Sequence, residues 1–480
     1  MPTKPANLLI IMADEHTQRI LGCYGDQHVY TPNLDRLAAR GTRFTDAYTP
    51  CPICVPARAS FATGRYVHEI GHWDNGHPYS GEPRAWGNVL QRNGHLVDSI
   101  GKLHYRAEDD PVGFDHQHVP LHVVDGVGDL LGAVKDPQPP RERVRDMAMN
   151  IGPGETGYTH YDRQIRDVAA DWLKARADQP HDGKPWTCFV SMVCPHFPLI
   201  APEKFYQLYA DTGLMPTKPI PELEHPWHVA YRDCFLYDTF TPERTKIALA
   251  SYYGLVSFVD DNIGHILDTL DATGLAATTR VLYVSDHGDN VGERGVWGKS
   301  NFYEESVAIP AMIAGPGIPK GHVCHTPISL TDAYPTVLDS MGLDDDDCRP
   351  GTSIIEIASA NDDPARVIFS EYHAAGAATG AFMIRKGRYK FIHYTGYPPQ
   401  LFDLVEDPHE LDDLGGSPAH ADTREALENE LHKICDPDAV HAAARASQAA
   451  LVEKHGGRDA VIARGSFGGT PAPGEKPVFK

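Results

Sequence analysis

The sequence predicts an α/β protein with a large, mostly parallel sheet covered by helices on both faces and a small C-terminal antiparallel α+β subdomain. Near-continuous apolar runs rich in β-branched residues indicate strands buried on both faces, which is typical of parallel sheets. Such runs occur at residues 7–12, 95–100, 187–193 and 280–284. Helical patterns lie between them, and short strands without intervening helices dominate after about residue 362. Strands that alternate with helices, followed by strands without helices between them, are typical of this fold class.

The helical patterns account for the connections of the large sheet. The first, at residues 31–41, places Leu34, Leu37 and Ala38 on one face and ends at Gly41, a residue type that favours helix C-termini. Longer helical patterns follow at residues 161–177 and 246–270. In doubly wound sheets the ligand lies beyond the carboxyl ends of the strands, so we expect the polar residues after the four strands to form one site.

The C-terminal third has a different organisation. Strands are predicted at residues 366–372, 380–385, 388–394 and 400–404, and a helix at 423–435 is expected to pack on them. The Gly- and Pro-rich stretch 465–480 cannot form a core of its own, so it is either a disordered tail or an arm on a neighbouring subunit. We therefore expect a catalytic domain at 1–360, a small subdomain at 361–440 and a tail at 441–480.

Composition excludes several classes of protein. The 480 residues carry a formal net charge of −22, whereas nucleic-acid binders and basic membrane-surface proteins need a cationic footprint. No apolar run approaches the roughly 20 residues that cross a bilayer, and the N-terminus lacks the pattern of a signal peptide. Nine cysteines in such a chain do not suggest a disulfide framework. We expect a cytoplasmic enzyme with neither nucleic acid nor membrane as its partner.

Two predicted strands end in groups that suit a metal ion. Asp14 follows the first strand, and Asp286 and His287 follow the strand at 280–284. Carboxylates with an imidazole suit a hard or borderline divalent cation. A lone Asp at a strand end is more often a turn residue or a helix cap, but two such positions on one sheet edge favour a metal site.

The most informative segment is residues 54–65, which begins at Cys54. Pro56 stands where a helix would begin, which places Cys54 at the positive end of that helix, where an anion is favoured. Arg58 lies four residues on, on the same helical face. This combination suits a tetrahedral oxyanion, although a buried thiol beside a salt-bridging arginine is the alternative for the Cys–Arg pair alone. Cys51 and Cys54 also have the Cys-x-x-Cys spacing of a thiol oxidoreductase.

The string from Cys54 through Pro56 and Arg58 to Thr63-Gly64-Arg65 resembles the signature of the sulfatase family, within the alkaline-phosphatase-like superfamily. The resemblance covers roughly residues 7–415. It implies an alkaline-phosphatase-like sandwich and conversion of Cys54 to formylglycine by a formylglycine-generating enzyme. It also implies one divalent metal ion at Asp14, Asp286, His287 and residue 54, with Ca²⁺ as the first choice and Mn²⁺ or Mg²⁺ as alternatives. Glu15 stands where the family carries Asp or Gln, so the resemblance does not extend firmly to it.

The same resemblance implies the roles of other polar residues. Lys102 and His104 match the family's Lys-x-His, in which the lysine holds a sulfate oxygen and the histidine helps to break down the covalent hemiacetal. His196 and Lys299 resemble the pair that binds the ester oxygen and protonates the leaving group. Asn75 resembles a substrate-contacting asparagine of choline-sulfatase-like members. Arg58 completes this catalytic set.

The function so implied is hydrolysis of aryl or alkyl sulfate monoesters by the hydrated aldehyde, through a covalent sulfo-enzyme hemiacetal that eliminates sulfate. The first alternative keeps the nucleophile but acts on phosphonate monoesters or phosphodiesters; relatives with that preference lack the Lys102 and His104 pair. The second alternative is the thiol oxidoreductase. The C-terminal tail resembles arms that join homodimers or homotetramers of cytoplasmic relatives.

Overall fold

A computed structural model describes residues 4–178, 183–344 and 347–480. Its strands are β1 Asn7–Asp14, β2 Gly41–Phe44, β3 Ala47–Tyr48, β4 Val97–Lys102, β5 His116–Leu121, β6 Ile151–Pro153, β7 Thr187–Pro195, β8 Leu199–Ala201, β9 Thr279–Ser285, β10 Ala311–Ala314, β11 His322–Cys324, β12 Ile328–Ser329, β13 Ile368–Tyr372, β14 Ala381–Lys386, β15 Tyr389–Tyr394 and β16 Gln400–Asp403. Its α-helices are α1 Pro32–Arg40, α2 Cys54–Thr63, α3 Val67–Ile70, α4 Trp86–Arg92, α5 Arg143–Met147, α6 Gly157–Asp178, α7 Glu203–Tyr206, α8 Pro226–Cys234, α9 Pro242–Ala272, α10 Glu304–Val307, α11 Ala333–Met341, α12 Ile354–Ser359, α13 Ala421–Ile434, α14 Pro437–Lys454 and α15 Gly457–Arg464.

Eight strands form the large sheet in the order β11-β2-β10-β9-β1-β7-β4-β5. β10 runs antiparallel to both of its neighbours, and the other pairings are parallel. The four strands predicted from apolar runs are therefore adjacent and parallel, in the order β9-β1-β7-β4. Their carboxyl ends meet at one edge of the sheet, as expected.

Helices cover both faces of this sheet, which confirms the predicted fold class. Alternate residues of β1 face opposite ways, as the period of a strand requires. Leu9 and Ile11 pack in one core with α6 and α9, and Leu8 and Ile10 pack in the other with α2 and α11. Every residue of β1 after Asn7 is buried, and all of them are apolar until the strand reaches Asp14.

The long helices extend beyond their predicted limits. α6 begins at Gly157 rather than 161, and α9 runs over Pro242–Ala272 rather than 246–270. The hydroxyl of Thr241 accepts a hydrogen bond from the Arg244 amide, and Pro242 occupies the first turn, so α9 has a capped start that the apolar pattern does not reveal. In the described residues, we found no helix with the length and apolar character needed to cross a bilayer.

The predicted small subdomain is present. β13, β14, β15 and β16 form an antiparallel sheet in that order, and Leu427 and Leu431 of α13 pack against its phenylalanines. The expected domain boundary at residue 440 falls inside α14, which with α15 continues helical structure to Arg464. Residues 465–480 contact the same chain, where Thr470 bonds to His104 and Tyr158 and the carbonyl of Ser466 accepts from Arg143, so the segment is not the free tail that its composition allows. The three domain ranges themselves stay predictions.

Candidate active site

The predicted site residues lie at the carboxyl ends of four strands, at one edge of the sheet. Asp14 ends β1, Lys102 ends β4, His196 follows β7 and Asp286 follows β9. Asp14, Lys102 and Asp286 are all at most 2 % exposed. The juxtaposition follows from the parallel pairing of these strands, because parallel neighbours end on the same side.

Cys54 is the first residue of α2 and lies against this edge. Its Sγ is 3.2 Å from His287 Nε2 and 3.7 Å from Asp14 Oδ1. Every residue of α2 is buried, and the helix ends at Gly64 with φ of 67°. A Cβ at Gly64 would stand 2.7 Å from the Cβ of Tyr334, so this position accepts no side chain. The Thr63-Gly64-Arg65 end of the signature thus fixes how closely α2 packs beneath the site.

Arg58 joins the two carboxylates. Its Nε donates to Asp286 Oδ2 at 2.8 Å, and its Nη2 donates to Asp14 Oδ2 at 3.1 Å. Its Nη1 donates to the carbonyl of Lys102 and the hydroxyl of Ser191, both at 2.9 Å. The guanidinium is 1 % exposed, and it links the carboxyl ends of β1, β4 and β9 to Ser191 within β7. Arg58 sits behind the site as a support for the carboxylates.

Four side chains could hold a metal ion. Ligand atoms of Asp14, Cys54, Asp286 and His287 all lie within 4.8 Å of one another, and all four residues are buried. Two carboxylates and an imidazole suit a divalent cation. Burial alone raises the pKa of Asp14, but Lys102, His196 and Arg58 hold this pKa well below its usual range. These four ligand groups therefore fit the predicted metal site, and the carboxylate of Asp14 is charged.

The side chain of Glu15 lies apart from the four possible metal ligands, although Glu15 follows Asp14 directly in the sequence. Its Oε2 lies 2.8 Å from Lys299 Nζ and 3.3 Å from His196 Nε2. Glu15 groups with Asp14 and His196 as a second possible ligand set, and not with Cys54 and His287. Burial raises the pKa of Glu15 well above its usual value, although Lys299 opposes this.

The two predicted histidines are both buried, and each has one ring nitrogen within hydrogen-bond distance of a neighbouring group. His196 Nδ1 lies 2.8 Å from the carbonyl of Phe197, which leaves Nε2 directed towards Glu15. His104 Nε2 lies 2.8 Å from Thr470 Oγ1, and His104 Nδ1 has no hydrogen-bond partner among the described residues. Burial lowers the pKa of both imidazoles well below the usual value. The positive charge of Lys299 lowers the pKa of His196 further, and that of Lys102 lowers the pKa of His104 further.

Asn75 lies beside the first turn of α2 and already makes a hydrogen bond there. Its Oδ1 accepts a hydrogen bond from the backbone N–H of Val55 at 3.2 Å, in the first turn of α2. Asn75 also lines the cavity described below. Asp74 next to it accepts from His77 and from Gln448 of α14. Helix α14 therefore supports the loop that carries Asn75, a link that sequence spacing does not reveal.

Lys299 lies in a loop that several groups hold in place. Asp289 Oδ1 accepts from the amide of Gly298 at 2.9 Å, and Asn290 Nδ2 donates to the carbonyl of Gly298 at 2.6 Å. Tyr231 donates its hydroxyl hydrogen to the carbonyl of Lys299 at 2.7 Å. Sequence reasoning missed Asp289 and Asn290, although they stand in the same polar run, residues 285–290, as Asp286.

A cavity of about 380 Å³ opens above these groups. Cys54, Lys102, His104, His196 and Lys299 line its floor together with Asn75. Aromatic side chains form much of the wall: Tyr158, Phe197, Phe235, Tyr237 and Trp297. Residues 465–470 of the C-terminal segment complete it. No sequence pattern predicts this last contribution, because a Gly-rich stretch has no periodicity that would place it.

The two cysteines of the Cys-x-x-Cys spacing do not resemble a redox pair. Cys51 and Cys54 are both free and buried, with Cys51 packed among apolar side chains. Burial, with Asp14 adding to it, raises the pKa of the Cys54 thiol to about 11. Reactive thiols have a lowered pKa and partial exposure, so this environment disfavours the thiol oxidoreductase alternative.

Comparisons with known proteins agree with the site. The family model Sulfatase matches residues 6–343, and the model of the N-sulphoglucosamine sulphohydrolase C-terminal region matches residues 292–436. The choline-sulfatase of Rhizobium meliloti (strain 1021) is 32% identical over 470 residues, covering 94% of this chain and 90% of the relative. Arylsulfatase K of Homo sapiens is 28% identical over 471 residues, covering 92% of this chain and 84% of the relative.

Solved structures share the fold. A protein in complex with its substrate D-glucosamine-2-N,6-O-disulfate superposes with a TM-score of 0.74 at 21% identity, covering 91% of this chain and 99% of the other. The phosphonate monoester hydrolase of Agrobacterium radiobacter gives a TM-score of 0.72 at 22% identity, covering 89% and 95%. With the family model matching well over half of the chain, this protein belongs to the sulfatase family and is a sulfuric ester hydrolase.

Proposed function

We propose that this enzyme hydrolyses aryl or alkyl sulfate monoesters with a nucleophile derived from Cys54 after its conversion to formylglycine. The observation that carries the proposal is the position of Cys54, whose side chain reaches His287 and Asp14 at the N-terminus of α2. Anions are favoured at such a terminus. The hydrated aldehyde would supply a hydroxyl nucleophile at this position, which a buried thiol with a raised pKa does not.

Asp14, Asp286, His287 and residue 54 would hold one divalent cation, with Ca²⁺ as the first choice and Mn²⁺ or Mg²⁺ as alternatives. The cation would supply Lewis-acid activation of the nucleophile and charge compensation for the sulfate group. Glu15 stays outside this ligand group in our proposal, because its Oε2 pairs with Lys299. Arg58 positions the carboxylates of Asp14 and Asp286 from behind.

The remaining polar groups act on the substrate. Lys102 and Lys299 line the cavity and place positive charge where the sulfate oxygens would lie. His196, with Nδ1–H held by the Phe197 carbonyl, presents Nε2 towards the ester oxygen. Because burial lowers the pKa of this imidazole, Lys299 is the first choice for donating a proton to the leaving alcohol, and His196 is the alternative donor once it is protonated. His104 takes a proton when the enzyme releases sulfate. Asn75 holds the first turn of α2 through Val55 and can direct its Nδ2 to the substrate.

Comparing an aryl sulfate with an aryl phosphonate monoester tests the substrate preference. We expect the larger kcat/KM on the sulfate, since Lys102 and His104 both line the cavity. A large preference for the phosphonate would assign the first alternative, a phosphonate monoester hydrolase or phosphodiesterase. Aryl sulfate hydrolysis that survives in Cys51→Ala and disappears in Cys54→Ala would exclude the thiol oxidoreductase; loss of this activity in both variants would favour a role for the cysteine pair.

The mass of the peptide containing residue 54 tests the modification. Conversion of the thiol to the aldehyde by a formylglycine-generating enzyme lowers this mass, and we expect the converted fraction to rise in proportion to specific activity when the two enzymes are co-expressed. Full activity in a sample whose residue 54 is entirely thiol would contradict the proposal.

Assembly and location stay predictions of this proposal. We expect a cytoplasmic homodimer or homotetramer joined through the C-terminal segment, which carries the exposed Val478. Light scattering on the full chain and on a chain ending at Arg464 tests this assembly. A smaller oligomer for the shortened chain is expected, and an unchanged molar mass would contradict the role of the segment.

A further inference from the structure

A second cluster of metal-ligating side chains lies outside the active site, at the edge of the large sheet. β11 is the edge strand and pairs only with β2 in this sheet, within the part of the chain that the structure describes. His322 and Cys324 are two residues apart on β11, so their side chains project from the same face. Asp362, in the loop before β13, meets them there.

The three ligand atoms already stand at a spacing that one ion can span. The imidazole nitrogen of His322, the Sγ of Cys324 and a carboxylate oxygen of Asp362 all lie within 4.8 Å of one another. Cys324 is a free thiol and fully buried, His322 is half-buried and Asp362 is exposed. An ion at this point would therefore have an apolar side and a side open to water.

Neighbouring hydrogen bonds hold the loop in position without a metal. Asp362 Oδ1 accepts a hydrogen bond from the backbone N–H of His325 at 3.0 Å, which fixes the carboxylate over the end of β11. The backbone N–H of Asp363 donates to Thr326 Oγ1 at 2.7 Å, and Arg366 donates to the carbonyl of Pro327 at 2.7 Å. Ligands placed in advance reduce the ordering cost of binding.

We propose that His322, Cys324 and Asp362 form a second metal site, which binds Zn²⁺ or a chemically similar transition-metal ion. Thiolate, imidazole and carboxylate are the ligands that zinc uses, and a thiolate disfavours Ca²⁺ and Mg²⁺. Binding forms the Cys324 sulfur–metal bond and releases the thiol proton to water. Three protein ligands leave one position of a tetrahedral site for a water molecule.

The position of this cluster indicates a structural role. None of the three residues lines the catalytic cavity among the described residues. The ion would instead join the edge of the large sheet to the loop that leads into β13 and the small sheet. Binding to the folded state alone would then stabilise the connection between the catalytic domain and the C-terminal subdomain.

Co²⁺ absorption provides the test, because sulfur ligation gives a charge-transfer band that oxygen and nitrogen ligands do not. The full-length Cys54→Ala variant is the background, since it removes the thiol at the catalytic centre. We expect this variant to show the band with Co²⁺ and to lose it when Zn²⁺ is added. In the same background, Cys324→Ser should abolish the band, and Cys23→Ser, which changes a half-buried cysteine beside Asp35, should keep it.

A second variant, Asp362→Asn, tests the site even if Cys324→Ser fails to fold. Asp362 is exposed, so its substitution should not disturb the core. We expect this variant to keep its circular dichroism spectrum and to bind Co²⁺ on the order of tenfold more weakly or worse. Absence of the band from the background variant, persistence of the band in Cys324→Ser, or an unchanged Co²⁺ affinity in Asp362→Asn would each overturn the proposal.

Discussion

Arg58 is the residue on which most of the site geometry depends. Its guanidinium donates to Asp14, Asp286, the Lys102 carbonyl and Ser191, and so contacts four neighbouring strands of the sheet at once. Such planar, divergent donation is specific to arginine, because the ammonium of lysine is a single point of charge. The buried carboxylates would lose a compensating charge if Arg58 were shortened or moved.

Arg58→Lys is expected to lower kcat/KM on an aryl sulfate roughly 100-fold or more and to destabilise the fold by about 3 kcal/mol. The reason is that lysine cannot hold Asp14 and Asp286 together. Steady-state kinetics and urea unfolding measure the two effects. Arg65→Lys is the matched control, since Arg65 makes a part-exposed ion pair with Glu69 at 3.7 Å. Equal effects of the two variants would contradict the role of Arg58.

Lys135 makes a pH-dependent contribution to stability. Its Nζ donates to the carbonyls of Ala374 and Ala377, and burial, with Arg445 nearby, lowers the pKa of Lys135 from 10.5 to about 7. The unfolded chain keeps this proton up to its ordinary pKa, so it binds more protons than the folded chain between these values. Stability from this group therefore rises with pH through that window.

Lys135→Met removes this titration. Between about pH 6.5 and 9.5 we expect the unfolding free energy of the wild type to rise relative to that of the variant by on the order of 3 kcal/mol. Urea denaturation of both proteins at the two pH values measures the difference. Parallel pH profiles would contradict a lowered pKa at Lys135.

At the scale of elements, the C-terminal segment 465–480 contributes to the active-site cavity. Thr470 Oγ1 contacts His104, and the carbonyl of Thr470 accepts a hydrogen bond from Tyr158 at 2.5 Å. Arg143 donates to the carbonyl of Ser466 at 3.0 Å. The segment thus forms one wall of the cavity and orients a histidine to which we assign proton transfer.

Thr470→Val preserves the shape of this wall but removes the hydroxyl. We expect kcat on an aryl sulfate to fall about fivefold, which corresponds to the loss of one hydrogen bond of about 1 kcal/mol, with little change in KM. Thr470→Ser keeps the hydroxyl and should retain most of the activity. If the valine and serine variants had the same kcat, the contact between Thr470 and His104 would have no role in turnover.

At the scale of the whole molecule, four parallel strands explain why separated residues become one site. The sequence predicted this site because Asp14, Lys102 and Asp286 each follow an apolar strand, and parallel strands end at a shared edge. The positions of Asn75 and Thr470 needed the structure, because they depend on loops and a tail packed by tertiary contacts. The helical limits of α9 were missed because its cap residue, Thr241, interrupts no apolar pattern.

The same architecture makes metal removal a test of the whole assembly. Dialysis against a chelator should abolish aryl sulfate hydrolysis and lower the melting temperature, since an ion that binds only the folded protein stabilises it. Adding Ca²⁺, Mn²⁺ or Mg²⁺ separately should restore both properties and rank the three ions. Full activity after complete removal of divalent ions would contradict a metal-dependent mechanism.

The most direct test of the account is a crystal structure of the converted enzyme with Mn²⁺, recorded with anomalous scattering at the manganese edge. We predict one strong anomalous peak within bonding distance of Asp14, Asp286, His287 and an oxygen carried by residue 54. A fully occupied manganese peak elsewhere, with these four side chains unligated, would contradict the account.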